Sequence, residues 1–155
     1  MRAVHAGAIS LLQELRPLIK RRWEALLRAE PAVSPLANPD TLVFHMDQTL
    51  DELAAALRTR SFRAWLKQHP VIVMPLRDAC PCGSNPLLAY CLTGDRAIRD
   101  VAGPRLGGML AETLVTYHGL AQREIEALCG ACCSRGTAAC PIRAELVAAE
   151  PAGRR

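Results

Sequence analysis

One apolar stripe in the C-terminal half of the chain constrains the fold more than any other feature. Between residues 104 and 128, apolar side chains recur at steps of three and four residues, which keeps them on one face of an α-helix. The stripe consists of Leu106, Leu110, Leu114, Tyr117, Ala121, Ile125 and Leu128. It predicts an amphipathic helix of roughly seven turns, with Gly130 just beyond it as a stop signal. Such a helix has to bury its apolar face against other elements.

The remaining sequence favours further helices as the packing partners of this one. Only six of the 155 residues are aromatic, so the core has to be built from Leu, Ala, Val and Ile, which suit helices better than sheets. Further helices are predicted over residues 2–30, 38–57, 61–68, 86–92, 95–101 and 141–149. Residues 71–74 are apolar and the first three are β-branched, but they have no partner strand. We therefore predict an all-α fold, a single compact bundle of five to seven helices.

Prolines and glycines mark the expected ends of these helices. Pro17 lies inside the first apolar pattern and predicts a kink or a restart. Asn38-Pro39 and Asn85-Pro86 each combine a capping side chain with a proline at the first helical position, so each predicts a helix start. The glycines between residues 103 and 108 predict a hinge before the long helix.

The domain organisation and the compartment follow from length and hydropathy. We expect one domain over residues 1–150, followed by a disordered tail at 151–155. The apolar residues 3–12 run directly into a charged amphipathic segment and lack a small-x-small cleavage site, so they predict the first helix rather than a signal peptide. No run of about 18 apolar residues occurs, so we expect no membrane helix and a cytoplasmic location.

All seven cysteines lie between positions 80 and 140, most of them in two clusters. In a reducing compartment, such a density of thiols indicates metal or redox chemistry more often than disulfides. The spacings C-x-C and C-x-x-C each supply two ligands from one turn, and about four thiolates complete a zinc or iron–sulfur site. The best four ligands are Cys80, Cys82, Cys129 and Cys132, with Cys133, Cys140 and Cys91 as reserves.

A metal site of this kind would join two loops and tie the long helix to the segment after Met74. Four residues beyond Leu128, the apolar stripe reaches Cys132, on the side of the helix that faces the core. Zinc is the favoured metal, and iron–sulfur is the alternative because Cys-Pro occurs at Cys80 and Cys140. The competing interpretation is that the thiols are scattered and pack as small hydrophobic groups.

The function predicted from these features is a non-enzymatic, metal-binding sensor or regulatory adaptor with a protein partner or a second copy of itself. An electron-transfer or thiol-redox protein is the first alternative, but its C-x-x-C would lie at a helix C-terminus, the wrong end for a reactive thiolate. A nucleic-acid-binding regulator is the second, disfavoured because the net charge of +4 is not concentrated in blocks. His45 and His118 are expected to be partly buried, hydrogen-bonded histidines rather than ligands.

Two segments resemble known families. Residues 80–91, C-P-C-G-S-N-P-L-L-A-Y-C, resemble the start of the SEC-C zinc motif, which implies zinc ligation by Cys80, Cys82 and Cys91. That motif continues with Cys or His where this chain has Leu92. Residues 16–57 begin with R-P-L-I-K-R-R-W-E-A-L-L-R-A-E and are similar to the N-terminal sensor domain of stressosome co-antagonist proteins. This second resemblance implies a globin-like helical bundle used for sensing and for partner contact.

Overall fold

The computed structural model describes residues 2–31, 37–59 and 85–134, and all regular secondary structure within those ranges is helical. The all-α prediction is therefore confirmed for the described part of the chain. The α-helices are α1 (Arg2–Ala29), α2 (Pro39–Leu42), α3 (Met46–Arg58), α4 (Leu87–Leu106) and α5 (Leu110–Ser134). Single 3-10 turns at Val43–His45 and Gly107–Met109 join α2 to α3 and α4 to α5. The elements predicted over 61–68, 71–74 and 141–149 lie outside the described residues.

Helix α1 is one unbroken helix through Pro17, where the sequence predicted a kink or a restart. Pro17 lies on the exposed face of the helix, as does Gln13, whose carbonyl loses its usual amide partner at this proline. The opposite face is buried and carries Leu12, Leu15, Ile19, Trp23 and Leu27. Burial of this long apolar face keeps the helix continuous despite one missing hydrogen bond.

The two predicted helices at 86–92 and 95–101 are one continuous helix, α4. The local sequence suggested a break near Thr93 and Gly94, but the Thr93 hydroxyl donates to the Ala89 carbonyl at 2.7 Å and Gly94 is buried against α1. Pro104 lies inside α4 and does not start the next helix. The corner comes later, at Gly107, whose φ of 51° favours glycine, so the chain turns within residues 103–108, where the sequence predicted a hinge.

Both asparagine–proline start signals are confirmed. The Asn38 side chain accepts a hydrogen bond from the Asp40 amide at 3.0 Å and starts α2. The Asn85 side chain accepts one from the Leu87 amide at 2.9 Å at the start of α4. The predicted stop near Gly130 is wrong, because α5 continues through that glycine to Ser134. A single glycine costs a helix only about 1 kcal/mol, which does not end it.

The four long helices surround one hydrophobic core. Helix α1 packs most extensively on α4, α4 packs on α5, α5 on α3, and α3 on α1, so α1 and α5 occupy opposite corners. The largest side chains at the centre are fully buried and include Trp23, Leu53, Tyr90, Ile98, Tyr117 and Ile125. None of the described helices combines the length and the apolar character needed to span a membrane.

Candidate functional site

Three aromatic side chains meet at the centre of the bundle around Gly94. The Trp23 ring lies 4.6 Å from that of Tyr90 and 6.2 Å from that of Tyr117, measured between centroids. The Trp23 indole donates to the Tyr90 carbonyl, and the Tyr117 hydroxyl donates to the Cys91 carbonyl, both at 2.9 Å. A methyl group on Gly94 would lie only 2.5 Å from the Trp23 ring. This centre is therefore a close-packed structural core with no room for a ligand.

Cys91, one of the reserve ligands, lies in this core. It is 2% exposed and unpaired. Burial, and to a smaller extent the charge of Glu124, raises the pKa of the Cys91 thiol. A metal ligand has to be a thiolate, so this environment opposes ligation. Among the side chains that the structure describes, which leave out those of residues 2–5 and 129–134, no group of three or more His, Cys, Asp or Glu is arranged to hold a metal ion.

The other predicted ligands divide between the end of α5 and the part of the chain that is not described. Cys80, Cys82 and Cys140 lie outside the described residues. Cys129, Cys132 and Cys133 occupy helical positions in the last turns of α5, where the sequence predicted a loop. Positions 129 and 132 follow buried Ile125 by four and seven residues, so they continue the register of the buried stripe.

Asn85 ties the start of α4 to this end of α5. Its side chain is buried, at 5% exposure, and its Nδ2 donates to the Ile125 carbonyl at 2.9 Å. Asn85 lies three residues after Cys82, and Ile125 lies one turn before Cys129. The sequence marked Asn85 only as a helix cap. No local pattern signals the second hydrogen bond, because its partner is 40 residues away.

His118 and Asp95 form a half-buried pair between α5 and α4. The His118 Nε2 lies 2.6 Å from Asp95 Oδ1, and the Arg99 Nε donates to Asp95 Oδ2 at 2.8 Å. Burial disfavours the Asp95 carboxylate, but these hydrogen bonds outweigh it and lower the pKa of Asp95. The prediction of a partly buried, hydrogen-bonded histidine is confirmed for His118. His45 is instead exposed, because the 3-10 turn carries it away from the buried face of α3.

Acidic residues of α3 take two different roles. Asp47 and Asp51 form ion pairs with Arg16 and Lys20 of α1 on the exposed side of the α1–α3 interface. Glu52 is half-buried, and its negative charge adds to the effect of burial in raising the pKa of Glu124 on α5. The sequence suggested one solvated acidic face here. It gave no sign that Glu52 would act on the pKa of Glu124, because that effect depends on the packing of α3 against α5.

A surface groove of about 660 Å³ lies between α1 and the turn before α3. The Phe44 ring, 82% exposed, lines it, and the other lining residues are Arg16, Pro17, Lys20, Arg21, Glu24, Val43, Met46 and Asp47. Charges of both signs line the groove, and most of them are already paired with one another. The groove therefore shows no preference for a ligand of one charge.

Comparison with known proteins identifies no family for this chain. It is similar to the signal recognition particle 54 kDa protein of Pyrobaculum arsenaticum, with 37% identity over 76 residues. The match covers 49% of this chain and 17% of that protein. No family model matches the sequence, and no solved structure matches the fold. Because so small a part of that protein is matched, the similarity assigns neither an activity nor a partner to this chain.

Proposed function

We propose that this chain is a non-enzymatic helical domain with a cysteine-ligated metal centre, acting as a sensor or regulatory adaptor. The ligands would be Cys80, Cys82, Cys129 and Cys132, and the metal would be zinc or, alternatively, iron in an iron–sulfur cluster. The observation that carries the proposal is the buried hydrogen bond from the Asn85 side chain to the Ile125 carbonyl. This contact limits how far the cluster around Cys82 is able to lie from the cluster around Cys129.

Covalent geometry turns this hydrogen bond into a distance limit. Asn85 lies three positions after Cys82, so their Cα atoms are at most about 11 Å apart. In a helix, the Ile125 carbonyl accepts the amide hydrogen of Cys129, so the two groups lie next to each other along the axis. Within this limit, Cys82 would be able to share an ion with Cys129, as the proposal requires. This limit supports convergence of the clusters, although they are 47 positions apart in the sequence.

The helical continuation of α5 also favours the binding of one ion by two of its cysteines. Residues three and four apart lie on one face of a helix, so positions 129 and 132, or 129 and 133, are able to address a single ion. This makes Cys133 an almost equal substitute for Cys132. The C-terminal end of a helix carries a partial negative charge, which favours a bound cation.

The proposed role depends on which metal is bound. Four thiolates around zinc leave no open position for a substrate water, so a zinc centre would be structural and would hold an adaptor surface in place. An iron–sulfur centre would suit oxidant sensing or, in the alternative function, electron transfer. The proposal includes a cytoplasmic location and a protein partner or a second copy of the chain.

Elemental analysis of the full chain purified without air tests this proposal. We expect about one zinc per chain in a colourless protein, or iron and inorganic sulfide with absorption near roughly 400 nm. The double variant Cys82→Ser/Cys129→Ser should lose most of the metal. The control Cys91→Ala alters a cysteine in the core and should retain it. Absence of metal from the unaltered chain, or equal metal in both variants, would refute the proposal.

A further inference from the structure

The groove between α1 and the turn before α3 combines an apolar lining with an aromatic ring that is open to solvent. Phe44 is 82% exposed, although side chains of this type are usually buried. Pro17 and the partly buried Val43 continue the apolar surface beside the ring. The proposed metal centre does not use this surface, so its role has to be explained separately.

Two ion pairs fix the level of Phe44 along α1. Asp47, three residues after Phe44, pairs with Lys20. Asp40, four residues before Phe44, pairs with Arg28. The Phe44 ring therefore lies beside the two turns of α1 between positions 20 and 28.

These two turns carry one uncompensated charge of each sign. Arg21 is exposed, and no side chain among those described forms an ion pair with it. Glu24 shares Arg28 with Asp40, so those three side chains together carry one net negative charge. Arg21 and Glu24 both line the groove, and at a spacing of three residues they lie on the same side of α1. The groove therefore offers a partner one positive and one negative charge.

We propose that this groove is the contact surface between two copies of the chain related by a two-fold axis. In a two-fold contact the same patch faces itself, so the patch has to be complementary to its own rotated copy. An axis that passes between positions 21 and 24 runs α1 antiparallel to its copy and places Arg21 of each copy opposite Glu24 of the other. The same rotation brings each Phe44 ring to the groove of the other copy, because the ring lies at that level of α1.

The occupant and the strength of the contact follow from charge and size. A purely acidic or purely basic partner would match one of the two free charges and repel the other, whereas a second copy matches both. A specific interface usually involves about 20–30 residues on each side. Nine residues line the groove, so we expect a dimer that dissociates on dilution. This inference selects the second copy from the two partners left open above, and it does not depend on a bound metal.

Sedimentation velocity of the full chain over a range of concentrations tests this contact, with a reductant present to exclude disulfides between copies. We expect the mass to rise with concentration from 16.8 kDa toward twice that value. Phe44→Ala should raise the dissociation constant about tenfold or more, because it removes the central aromatic group. Val115→Ala shortens an exposed apolar side chain on α5, away from the groove, and should leave the dissociation constant unchanged. A mass of 16.8 kDa at every concentration up to about 1 mM would overturn the proposal.

Charge reversal separates this two-fold contact from any other association through Phe44. Arg21→Glu and Glu24→Arg should each weaken the dimer, because each variant places like charges opposite one another. Mixed in equal amounts, the two variants should pair with each other, because each presents the charge that the other lacks. Dimers that survive both single changes, or variants that do not pair when mixed, would overturn the proposal. None of these changes alters a cysteine, so the result is independent of the metal analysis.

Discussion

Replacing Gly94 with alanine is expected to destabilise the domain by about 3 kcal/mol, although alanine is the better helix former. Gly94 lies inside α4 at the point where α1 and α5 both reach that helix. The added methyl carbon would lie 2.5 and 2.7 Å from two atoms of the Trp23 ring, and it would overlap the Tyr117 hydroxyl. Both aromatic side chains are almost completely buried, so neither is able to turn out into solvent.

The magnitude follows from three contributions. Ordinary contact between carbon atoms is near 3.5–4.0 Å, so the rings have to move by about 1 Å, and overpacking of this kind costs roughly 1–3 kcal/mol. Displacing the Tyr117 hydroxyl breaks its buried hydrogen bond to the Cys91 carbonyl, which costs about 1–3 kcal/mol more. The gain in helix propensity returns about 1 kcal/mol. The first two contributions outweigh the third.

Urea denaturation followed by circular dichroism is the assay. The matched control is Gly7→Ala in α1, where the new methyl would meet only the end of the Met109 side chain, at 3.6 Å from its sulfur and 3.9 Å from its methyl carbon, which are ordinary contacts. That variant should be as stable as the unaltered chain or slightly more stable. The double variant Gly94→Ala/Tyr117→Phe should be more stable than the sum of the single effects predicts. A Gly94→Ala protein within about 0.5 kcal/mol of the control would refute the reasoning.

Two further predictions concern polar groups between helices. Asn85→Ala should cost about 2 kcal/mol in urea denaturation, because it removes a cap and leaves a buried carbonyl without this donor. Asn85→Asp keeps the cap acceptor but removes the donor to the Ile125 carbonyl, so it should still cost about 1 kcal/mol, and an Asn85→Asp protein as stable as the unaltered chain would contradict the tether to α5. For Asp95, burial disfavours the carboxylate, but His118 and Arg99 outweigh it and lower the pKa. The stabilising contribution of Asp95 is therefore present above pH 3.8 and is lost as the pH falls below that value. In a circular dichroism titration, the stability of Asp95→Asn should fall less steeply with acid than that of the unaltered chain. An unchanged acid profile would contradict the assignment.

The features that the sequence predicted well are local ones. The buried stripe of α1 and the caps at Asn38 and Asn85 depend on residues within a few positions of one another, so helical periodicity and capping chemistry were sufficient. The continuity of α4 was not predictable in this way. Thr93 and Gly94 suggested a break in the helix, because the sequence does not show that Trp23 and Tyr117, from two other helices, pack against this point.

For the candidate site as well, local features could be predicted from the sequence and contacts between helices could not. From the C-x-x-C spacing alone, the sequence predicts that Cys129 and Cys132 bind the same ion. It does not reveal that Asn85 ties the start of α4 to α5, because that hydrogen bond joins residues 40 positions apart. The effect of Glu52 on the pKa of Glu124 has the same origin, because it depends on the packing of α3 on α5.

The pairing of α1 with α4 sets an order of events during synthesis. The Trp23 indole finds its acceptor at Tyr90, 67 residues later in the chain. At ribosomal rates of about 5–20 residues per second, the apolar face of α1 waits roughly 3–13 seconds for its partner. We expect the nascent chain to expose that face to chaperones during this interval. Truncations that end before α4 should therefore be recovered bound to chaperones or aggregated.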